Sequence, residues 1–258
     1  MLDIKNISKT FNPGTVNEKR ALTDFSLHLE RGDFATIVGS NGAGKSTLFN
    51  AIAGCFYADT GSISLAGRDI TFTPEHQRSR VIGRLFQDPL RGTAPHMTIE
   101  ENLALAYLRA SHGNPFSRIS HADKEKFRAQ LSLLYMGLED RMRQPVGLLS
   151  GGQRQALTLL MATMVPPQLL LLDEHTAALD PATAEKVLEL TQRIVEESHI
   201  TCLMVTHNMT QALELGNRTL MMADGHIVMD VNGKEREGMT VDSLVAKFKA
   251  GTGKALDN

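Results

Sequence analysis

The amino-acid sequence predicts an α/β fold whose core is a parallel sheet, with an antiparallel β layer at its N-terminal side and an inserted all-helical lobe. Short apolar runs at residues 34–38, 169–172 and 202–206 are each followed by polar residues, as in strands buried on both faces of a sheet. A helical stretch at 183–197 separates the last two runs. This order is typical of parallel strands joined by a crossover helix.

The antiparallel layer and the helical lobe are predicted from two different patterns. Residues 2–7 and 25–29 alternate apolar and polar side chains with period two, which indicates half-buried antiparallel strands. Strand patterns then disappear between about Asp88 and Leu148. There, Thr98 followed by Glu101, and Ser120 followed by Asp123, are the N-terminal capping signatures of two helices. We therefore expect residues 88–148 to form a helical insertion.

The C-terminal part predicts a hairpin and a closing helix. Asp224-Gly225 lies between the apolar runs 220–222 and 226–231, which is a strong signal for a two-residue hairpin turn, and residues 241–249 have a helical pattern. The expected organisation is a single domain over residues 1–250. Its core comprises 1–87 and 149–250, the insertion is 88–148, and 251–258 form a tail.

Composition excludes several classes of function. The chain has 258 residues, 42% hydrophobic and 22% charged, which suits a globular domain, and a formal net charge of −2 gives no reason to expect a nucleic-acid partner. Cys55 and Cys202 lie far apart, so neither a disulfide framework nor a zinc site is indicated and a reducing cytoplasm is expected. No apolar run is long enough to cross a membrane, and residues 1–10 lack the apolar core of a secretory signal, so neither a membrane span nor a signal is expected.

A glycine-rich segment between a predicted strand and a predicted helix fits the phosphate-loop pattern. Its residues are Gly39, Ser40, Asn41, Gly42, Ala43, Gly44, Lys45, Ser46 and Thr47. The glycines let backbone N–H groups converge on phosphates, and the positive end of the helix dipole favours the same anions. We expect Lys45 to bind the β- and γ-phosphates, Ser46 to ligate Mg²⁺ and Thr47 to add a phosphate contact.

Two carboxylates follow the apolar run at 169–172. Asp173 could bind Mg²⁺, and Glu174 could polarise a water that attacks the γ-phosphate. The same sequence pattern would also arise at a strand end that simply turns into solvent. The phosphate loop upstream favours the catalytic interpretation.

The segment Leu149–Gln155 reads LSGGQRQ and resembles the signature of the ATP-binding cassette (ABC) family, and the likeness covers nearly the whole chain. Ser150, Gly151 and Gly152 offer a hydroxyl and backbone N–H groups at a predicted helix N-terminus, which would form a second anion cradle. In the family, this segment, here Ser150 to Gln153, serves the nucleotide bound by the opposite subunit. The fold implied is that of a P-loop NTPase with a helical insertion.

The resemblance assigns roles to further residues. Gln87 in RLFQD matches the family's glutamine that senses Mg²⁺ and the attacking water, Asp180 lies in a loop matching the one across the dimer interface, and His207 matches the switch histidine that contacts the γ-phosphate. Phe11 lies where the family has an aromatic ring that stacks on adenine. It could instead be a buried aromatic residue at a strand end.

One position departs from the family. His175 follows Glu174 where the family most often has proline, which removes a fixed φ and adds a titratable ring. We expect a local effect on geometry rather than direct proton transfer.

The resemblance implies an ATPase that binds ATP and Mg²⁺ and works as a head-to-tail dimer of two identical subunits. Because each motif occurs once, the second ATPase must be another chain. The implied partners are integral-membrane permease subunits and an extracytoplasmic solute-binding protein, and the implied location is the cytoplasmic face of the membrane. Import of a small solute, with aromatic amino acids as one possible cargo, is the favoured interpretation. An exporter or lipoprotein-extrusion ATPase and a soluble iron–sulfur assembly ATPase remain alternatives.

Overall fold

The structure, a computed structural model, describes residues 1–110 and 119–252. The chain divides into two compact units, one made of Met1–Arg78 with the described residues from His199 onward, and the other of Ser79–Ser198. The predicted insertion at 88–148 falls within the second unit. The boundaries predicted at 87/88 and 148/149 stay a prediction, and residues 253–258 of the expected tail lie outside the described residues.

The bounds of the elements are as follows. The strands are β1 (Leu2–Phe11), β2 (Lys19–Leu29), β3 (Phe34–Gly39), β4 (Thr60–Leu65), β5 (Arg68–Asp69), β6 (Ile82–Leu85), β7 (Leu169–Asp173), β8 (Thr201–Val205), β9 (Arg218–Ala223) and β10 (His226–Asn232). The helices are α1 (Lys45–Ala53), α2 (Glu75–Arg78), α3 (Ile99–Ala110), α4 (His121–Ser132), α5 (Gly151–Thr163), α6 (Pro181–Glu197), α7 (Met209–Glu214), α8 (Gly233–Glu237) and α9 (Val241–Thr252). Short 3₁₀ turns lie at Pro89–Gly92 and Val146–Leu148.

An antiparallel sheet with the strand order β2-β1-β4-β5 forms one layer of the first unit. Its strands β1 and β2 are longer than the predicted 2–7 and 25–29. The pairing of β1 with β2 shifts register between Ile4 and Ile7, and Asn6 and Asp24 have left-handed φ values of 48° and 44°. These irregularities interrupt the period-two alternation, so the sequence pattern shows only part of each strand.

The other sheet of the first unit carries the glycine-rich loop. Strand β3 pairs in parallel with β8 on one edge and with β9 on the other, and β10 pairs antiparallel with β9. Every residue of β3 is buried, as expected for a central strand with an unbroken apolar run. The predicted hairpin is confirmed: Asp224 and Gly225 have φ values of 47° and 80°, which a type I′ turn requires.

A buried arginine in the same unit stabilises the C-terminal end of α1. Arg78 is 1% exposed, and its guanidinium donates to the carbonyls of Ala51 and Ile52, both at 2.9 Å. It also donates to the carbonyls of Thr71 and Thr73, at 3.0 and 2.7 Å. Carbonyls at a helix C-terminus lack intrahelical partners and carry negative partial charge, so a cation here satisfies them.

The second unit combines the parallel pair β6 and β7 with helices. The two predicted capping signatures are confirmed. Thr98 and Glu101 exchange hydrogen bonds at the start of α3, and Ser120 forms a capping box with Asp123 at the start of α4. Among the described residues, no helix has both the length and the apolarity needed to span a membrane.

Candidate nucleotide site

The glycine-rich segment 39–47 forms the turn between β3 and α1. Gly39, Gly42 and Gly44 have φ values of 152°, 81° and 102°, which side-chain-bearing residues rarely adopt. A Cβ atom on Gly39 would lie 2.2 Å from the carbonyl oxygen of Met222, and one on Gly44 would lie 2.5 Å from that of Ala21. The glycines are therefore needed both for the turn and for its close approach to neighbouring backbone.

Lys45 lies within this loop rather than in solvent. It is 6% exposed, and its Nζ donates to the carbonyls of Gly39 at 2.6 Å and Ser40 at 3.0 Å. Gly44 is the N-cap of α1, and no side chain caps this helix. The loop thus holds a positive ammonium at the positive end of a helix dipole, an arrangement that favours phosphate.

His207 follows β8, at the same edge of the sheet as the glycine-rich loop. This follows from the parallel pairing of β3 and β8, in which Ile37 is opposite Val205. The His207 side chain is exposed, while its neighbours are fixed: Thr206 Oγ1 donates to Gln211 at 3.0 Å, and the Asn208 side chain caps α7. The turn therefore presents an exposed imidazole at the sheet edge where a ligand of the loop would lie.

Phe11 ends β1 and is only partly buried. Its ring makes an edge-to-face contact with Phe56 at 5.4 Å between centroids, and Lys9 Nζ lies 5.8 Å from the Phe11 centroid. The ring is therefore held by its own unit yet keeps part of its surface accessible. Stacking of Phe11 on adenine stays a prediction.

The acidic residues of the second unit lie at the carboxyl end of β7. Asp173 Oδ2 is 3.7 Å from Arg84 Nη2, and both side chains are mostly buried. Glu174 has a left-handed φ of 47° and is partly buried. Arg84 was not predicted as a site residue, because only the pairing of β6 with β7 shows that it lies beside Asp173.

Gln87 follows β6, so it lies at the same edge of the parallel pair as Asp173 and Glu174. Its side chain is exposed. The next residue, Asp88, accepts a hydrogen bond from the Leu90 amide at 2.9 Å and so caps the 3₁₀ turn. The structure thus brings together in the second unit the amide and the two carboxylates that the sequence assigned to metal binding and catalysis.

The LSGGQRQ segment forms the N-terminus of α5. Ser150 is the N-cap, and a reciprocal capping box joins it to Gln153 with both hydrogen bonds at 3.3 Å. Arg154 fixes the preceding loop by donating to the carbonyls of Gly147 at 3.1 Å and Leu149 at 2.9 Å. A Cβ atom on Gly152 would lie 2.0 Å from Thr183 Cγ2, so glycine lets α5 approach α6.

Asp180 is the N-cap of α6. Its carboxylate accepts from the Thr183 amide at 3.1 Å, and this interaction with Thr183 lowers the Asp180 pKa below its ordinary value. The loop before it contacts the LSGGQRQ segment, because a Cβ atom on Gly151 would lie 3.2 Å from Leu179 Cδ2. The role of Asp180 at a dimer interface stays a prediction.

A cavity of about 580 Å³ opens beside Ser150 and Gln153 within the second unit. Its remaining walls come from α6 and from the turn after α4, including Lys186, Arg193 and Tyr135. The capping residues of α5 therefore border open space.

His175 points into the interior of the second unit. It is 1% exposed, and burial lowers its pKa to about 4, so the ring is neutral at physiological pH. This burial agrees with the expectation of a geometric role. Its contact with the Thr191 hydroxyl was not predicted, because sequence gives no signal for a partner sixteen residues away.

The residues predicted to bind Mg²⁺ each offer an oxygen donor. Among the described residues, no group of three His, Cys, Asp or Glu side chains could hold a metal ion. The hydroxyl of Ser46 in the first unit, and the carboxylate of Asp173 and the amide oxygen of Gln87 in the second, are hard oxygen donors of the kind that Mg²⁺ prefers. Their binding of Mg²⁺ stays a prediction.

Comparison with known proteins agrees with this set of motifs. The family model described as ABC transporter matches residues 22–177. A tyrosine transport ATP-binding protein of Clostridioides difficile (strain R20291) is 44% identical over 250 residues, covering 96% of this chain and 99% of the relative. The thiamine import ATP-binding protein ThiQ of Escherichia coli O157:H7 is 35% identical over 226 residues, covering 88% and 89% of the two chains.

Solved structures of cassette ATPases have the same fold. The dimeric post-hydrolysis state of the ATP-binding cassette MJ0796 with ADP and Pi superposes with a TM-score of 0.78 at 27% identity, covering 90% of this chain and 98% of that one. The ADP conformation of the cassette MJ1267 gives a TM-score of 0.77 at 28% identity, covering 97% and 98%. The predicted fold and ATPase activity are thereby confirmed, and the chain belongs to the ABC transporter family as an ATP-binding subunit.

Proposed function

We propose that this chain powers import of a small solute through separate permease subunits, and that an aromatic amino acid such as tyrosine is the cargo. The observation that supports this cargo is the 44% identity to a tyrosine transport ATP-binding protein along almost the full length of both chains. The thiamine import relatives support the direction of transport. The cargo itself would be bound by the permease and by an extracytoplasmic solute-binding protein. The ATPase would lie at the cytoplasmic face of the membrane.

The observation that carries the proposed nucleotide site is Lys45, folded into a glycine loop at an uncapped helix N-terminus. In the proposed site, its ammonium and the surrounding backbone N–H groups bind the β- and γ-phosphates. The Thr47 hydroxyl or amide adds a phosphate contact, and the Phe11 ring stacks on adenine. These groups orient the nucleotide and neutralise its charge before any chemistry takes place.

Hydrolysis then needs a base and a positioned water. Glu174, at the end of β7, accepts a proton from the water as it attacks the γ-phosphorus in line, and His207 donates a hydrogen bond to the γ-phosphate. Ser46, Asp173 and Gln87 would hold Mg²⁺, and the ion would supply positive charge to stabilise the phosphate oxygens. Arg84 supplies a positive charge 3.7 Å from the Asp173 carboxylate.

The remaining residues are proposed to act on the nucleotide of a second copy of the chain. Ser150, Gly151, Gly152 and Gln153 contribute the hydroxyl and N–H groups of α5, and Asp180 belongs to the loop at the interface. The relatedness to a dimeric cassette with ADP and Pi supports this arrangement. Two nucleotides would be enclosed between two subunits.

Glu174→Gln tests the catalytic assignment. It keeps the shape of the side chain but removes the base, so we expect ATP hydrolysis to fall by roughly 100-fold or more while ATP binding persists. The matched control is Glu197→Gln, at the exposed end of α6, which should hydrolyse ATP as the wild type does. Wild-type turnover by Glu174→Gln would exclude Glu174 as the base.

The transport assignment has a separate test. The chain, expressed with the products of its neighbouring genes, is purified from detergent-solubilised membranes, and tyrosine uptake is measured after reconstitution into vesicles. We expect a polytopic membrane protein to co-purify, and uptake to require ATP inside the compartment with the ATPase. Recovery with soluble proteins alone would exclude a transport role.

A further inference from the structure

The turn between β7 and α6 changes direction at Glu174 and sends the next side chain inward. Glu174 has a φ of 47°, which is unfavourable for a residue with a Cβ atom, and its carbonyl accepts a hydrogen bond from the Ala177 amide at 3.0 Å. His175, the following residue, is 1% exposed. An unfavourable backbone conformation persists only where the surroundings fix it, and the buried His175 side chain is part of the surroundings of Glu174.

The hydrogen bonds of Thr191 identify the tautomer of His175. Thr191 Oγ1 donates its only proton to the carbonyl of Val187, at 2.7 Å. It must therefore accept at its contact with His175 Nε2, at 3.1 Å, which means that Nε2 carries the proton. The ring therefore acts as a hydrogen-bond donor from the turn to the middle of α6.

The other ring nitrogen of His175 argues against a purely space-filling role for this side chain. His175 Nδ1 is buried and has no hydrogen-bond partner among the residues that the structure describes. An apolar side chain would fill the same space without an unsatisfied acceptor. The histidine therefore offers one thing that an apolar residue lacks, which is the Nε2–H bond to Thr191.

We propose that His175 is a positioning residue for Glu174, acting through its hydrogen bond to Thr191. The bond joins the residue after Glu174 to α6, the helix that begins at Pro181 and is capped by Asp180. It thereby fixes both ends of the segment 174–180 to one rigid helix. This inference rests on the proposed role of Glu174 as the base.

Three variants separate the hydrogen bond from the packing. Thr191→Val keeps the shape of the side chain and removes the acceptor, Thr191→Ser keeps the hydroxyl, and His175→Phe keeps a buried ring and removes the donor. We expect Thr191→Val and His175→Phe to lower kcat for ATP hydrolysis by roughly tenfold with KM for ATP unchanged within about twofold, because misplacement of a catalytic group affects the chemical step. Thr191→Ser should keep kcat within about twofold of the wild type.

The double variant His175→Phe/Thr191→Val should be no slower than the slower single variant, since both changes remove the same bond. All assays are run at least 15 °C below the melting temperature of each variant, measured by thermal unfolding. A merely structural role would raise KM and lower kcat together, or would make Thr191→Ser as slow as Thr191→Val. Either result overturns the proposal.

Glu174→Gln, measured beside these variants, tells the two possible failures apart. If Glu174→Gln turns over at the wild-type rate, the proposed base is wrong and a kcat effect at Thr191 has another origin. If Glu174→Gln is inactive while His175→Phe and Thr191→Val keep wild-type kcat, the base is right and the positioning role of His175 is excluded.

Discussion

The N-termini of α1 and α5 are both glycine-rich, but only α5 is capped by side chains. At α1, the N-cap is Gly44, no side chain caps the helix, and a buried lysine lies in the loop. At α5, Ser150 and Gln153 cap the helix reciprocally. The first terminus is arranged to receive an anion from outside, whereas the second already satisfies part of its own hydrogen bonding. We infer that α1 binds the phosphates and that α5 adds a smaller contribution, made only when a second subunit supplies the nucleotide.

The largest expected effect is at the lysine of the first terminus. Lys45→Ala removes the ammonium from the glycine loop, so we expect ATP to bind roughly 100-fold more weakly and hydrolysis to become undetectable. Lys234→Ala, at an exposed position of α8, is the control and should bind ATP normally. Calorimetric titration with a non-hydrolysable ATP analogue measures both. Equal affinities would show that the loop is not the phosphate site.

Two glycines of the same loop separate the effect of backbone strain from the effect of steric overlap by an added Cβ atom. Gly44→Ala would place a Cβ atom 2.5 Å from the Ala21 carbonyl oxygen, while at Gly42 the nearest atom is Lys19 Nζ at 3.8 Å. Both positions have positive φ, so both variants carry conformational strain of about 1 kcal/mol. We expect Gly44→Ala to lower the free energy of unfolding by about 2 kcal/mol more than Gly42→Ala, as measured by urea unfolding. A smaller loss for Gly44→Ala than for Gly42→Ala would contradict the described loop geometry.

At the second terminus the expected effect is smaller. Ser150→Ala removes the hydroxyl that caps α5 and should lower the free energy of unfolding by about 1 kcal/mol. It should leave the affinity of an isolated subunit for ATP unchanged, because α5 is proposed to act on the nucleotide of the other subunit. Nucleotide titration under conditions that keep the chain monomeric checks this. Weaker binding by the monomeric variant would show that α5 serves its own nucleotide.

The smallest expected effect concerns the carboxylate of Asp180, which caps α6. The interaction with Thr183 lowers the Asp180 pKa in the folded state, so the carboxylate stabilises the protein above the unfolded-state pKa of about 3.9 and this contribution is lost as the pH falls through the lower folded-state value. Asp180→Asn lacks this dependence. The difference in melting temperature between the wild type and Asp180→Asn should therefore be small at pH 7 and should shrink as the pH falls below the unfolded-state pKa of about 3.9. A difference in melting temperature that grows as the pH falls would contradict a lowered pKa for Asp180.

The sequence predicted the parts of the molecule that depend on local patterns. The glycine loop, the Asp224-Gly225 hairpin and the capping box at Ser120 each need only a few adjacent residues, and each lies where it was expected. The ends of β1 and β2 were missed, because left-handed residues such as Asn6 and Asp24 break the alternation that defines a strand.

The parts that sequence could not predict depend on distant partners. Arg84 faces Asp173 only because β6 pairs with β7, and His175 contacts Thr191 only because the turn after β7 lies against α6. Neither contact leaves a periodic or compositional trace. The roles proposed for Gln87, His207 and Phe11 likewise depend on a bound nucleotide and stay predictions.

Mixing two inactive variants tests directly whether α1 and α5 act on the same nucleotide from different subunits. Lys45→Ala disables the phosphate loop, and Ser150→Arg blocks the N-terminus of α5. If the two termini act on the same nucleotide from different subunits, each mixed dimer contains one intact site, and an equal mixture should recover roughly a quarter of the wild-type ATPase rate. If both termini of one chain served one nucleotide, no intact site could form, and a mixture no more active than the two separate variants would contradict the account.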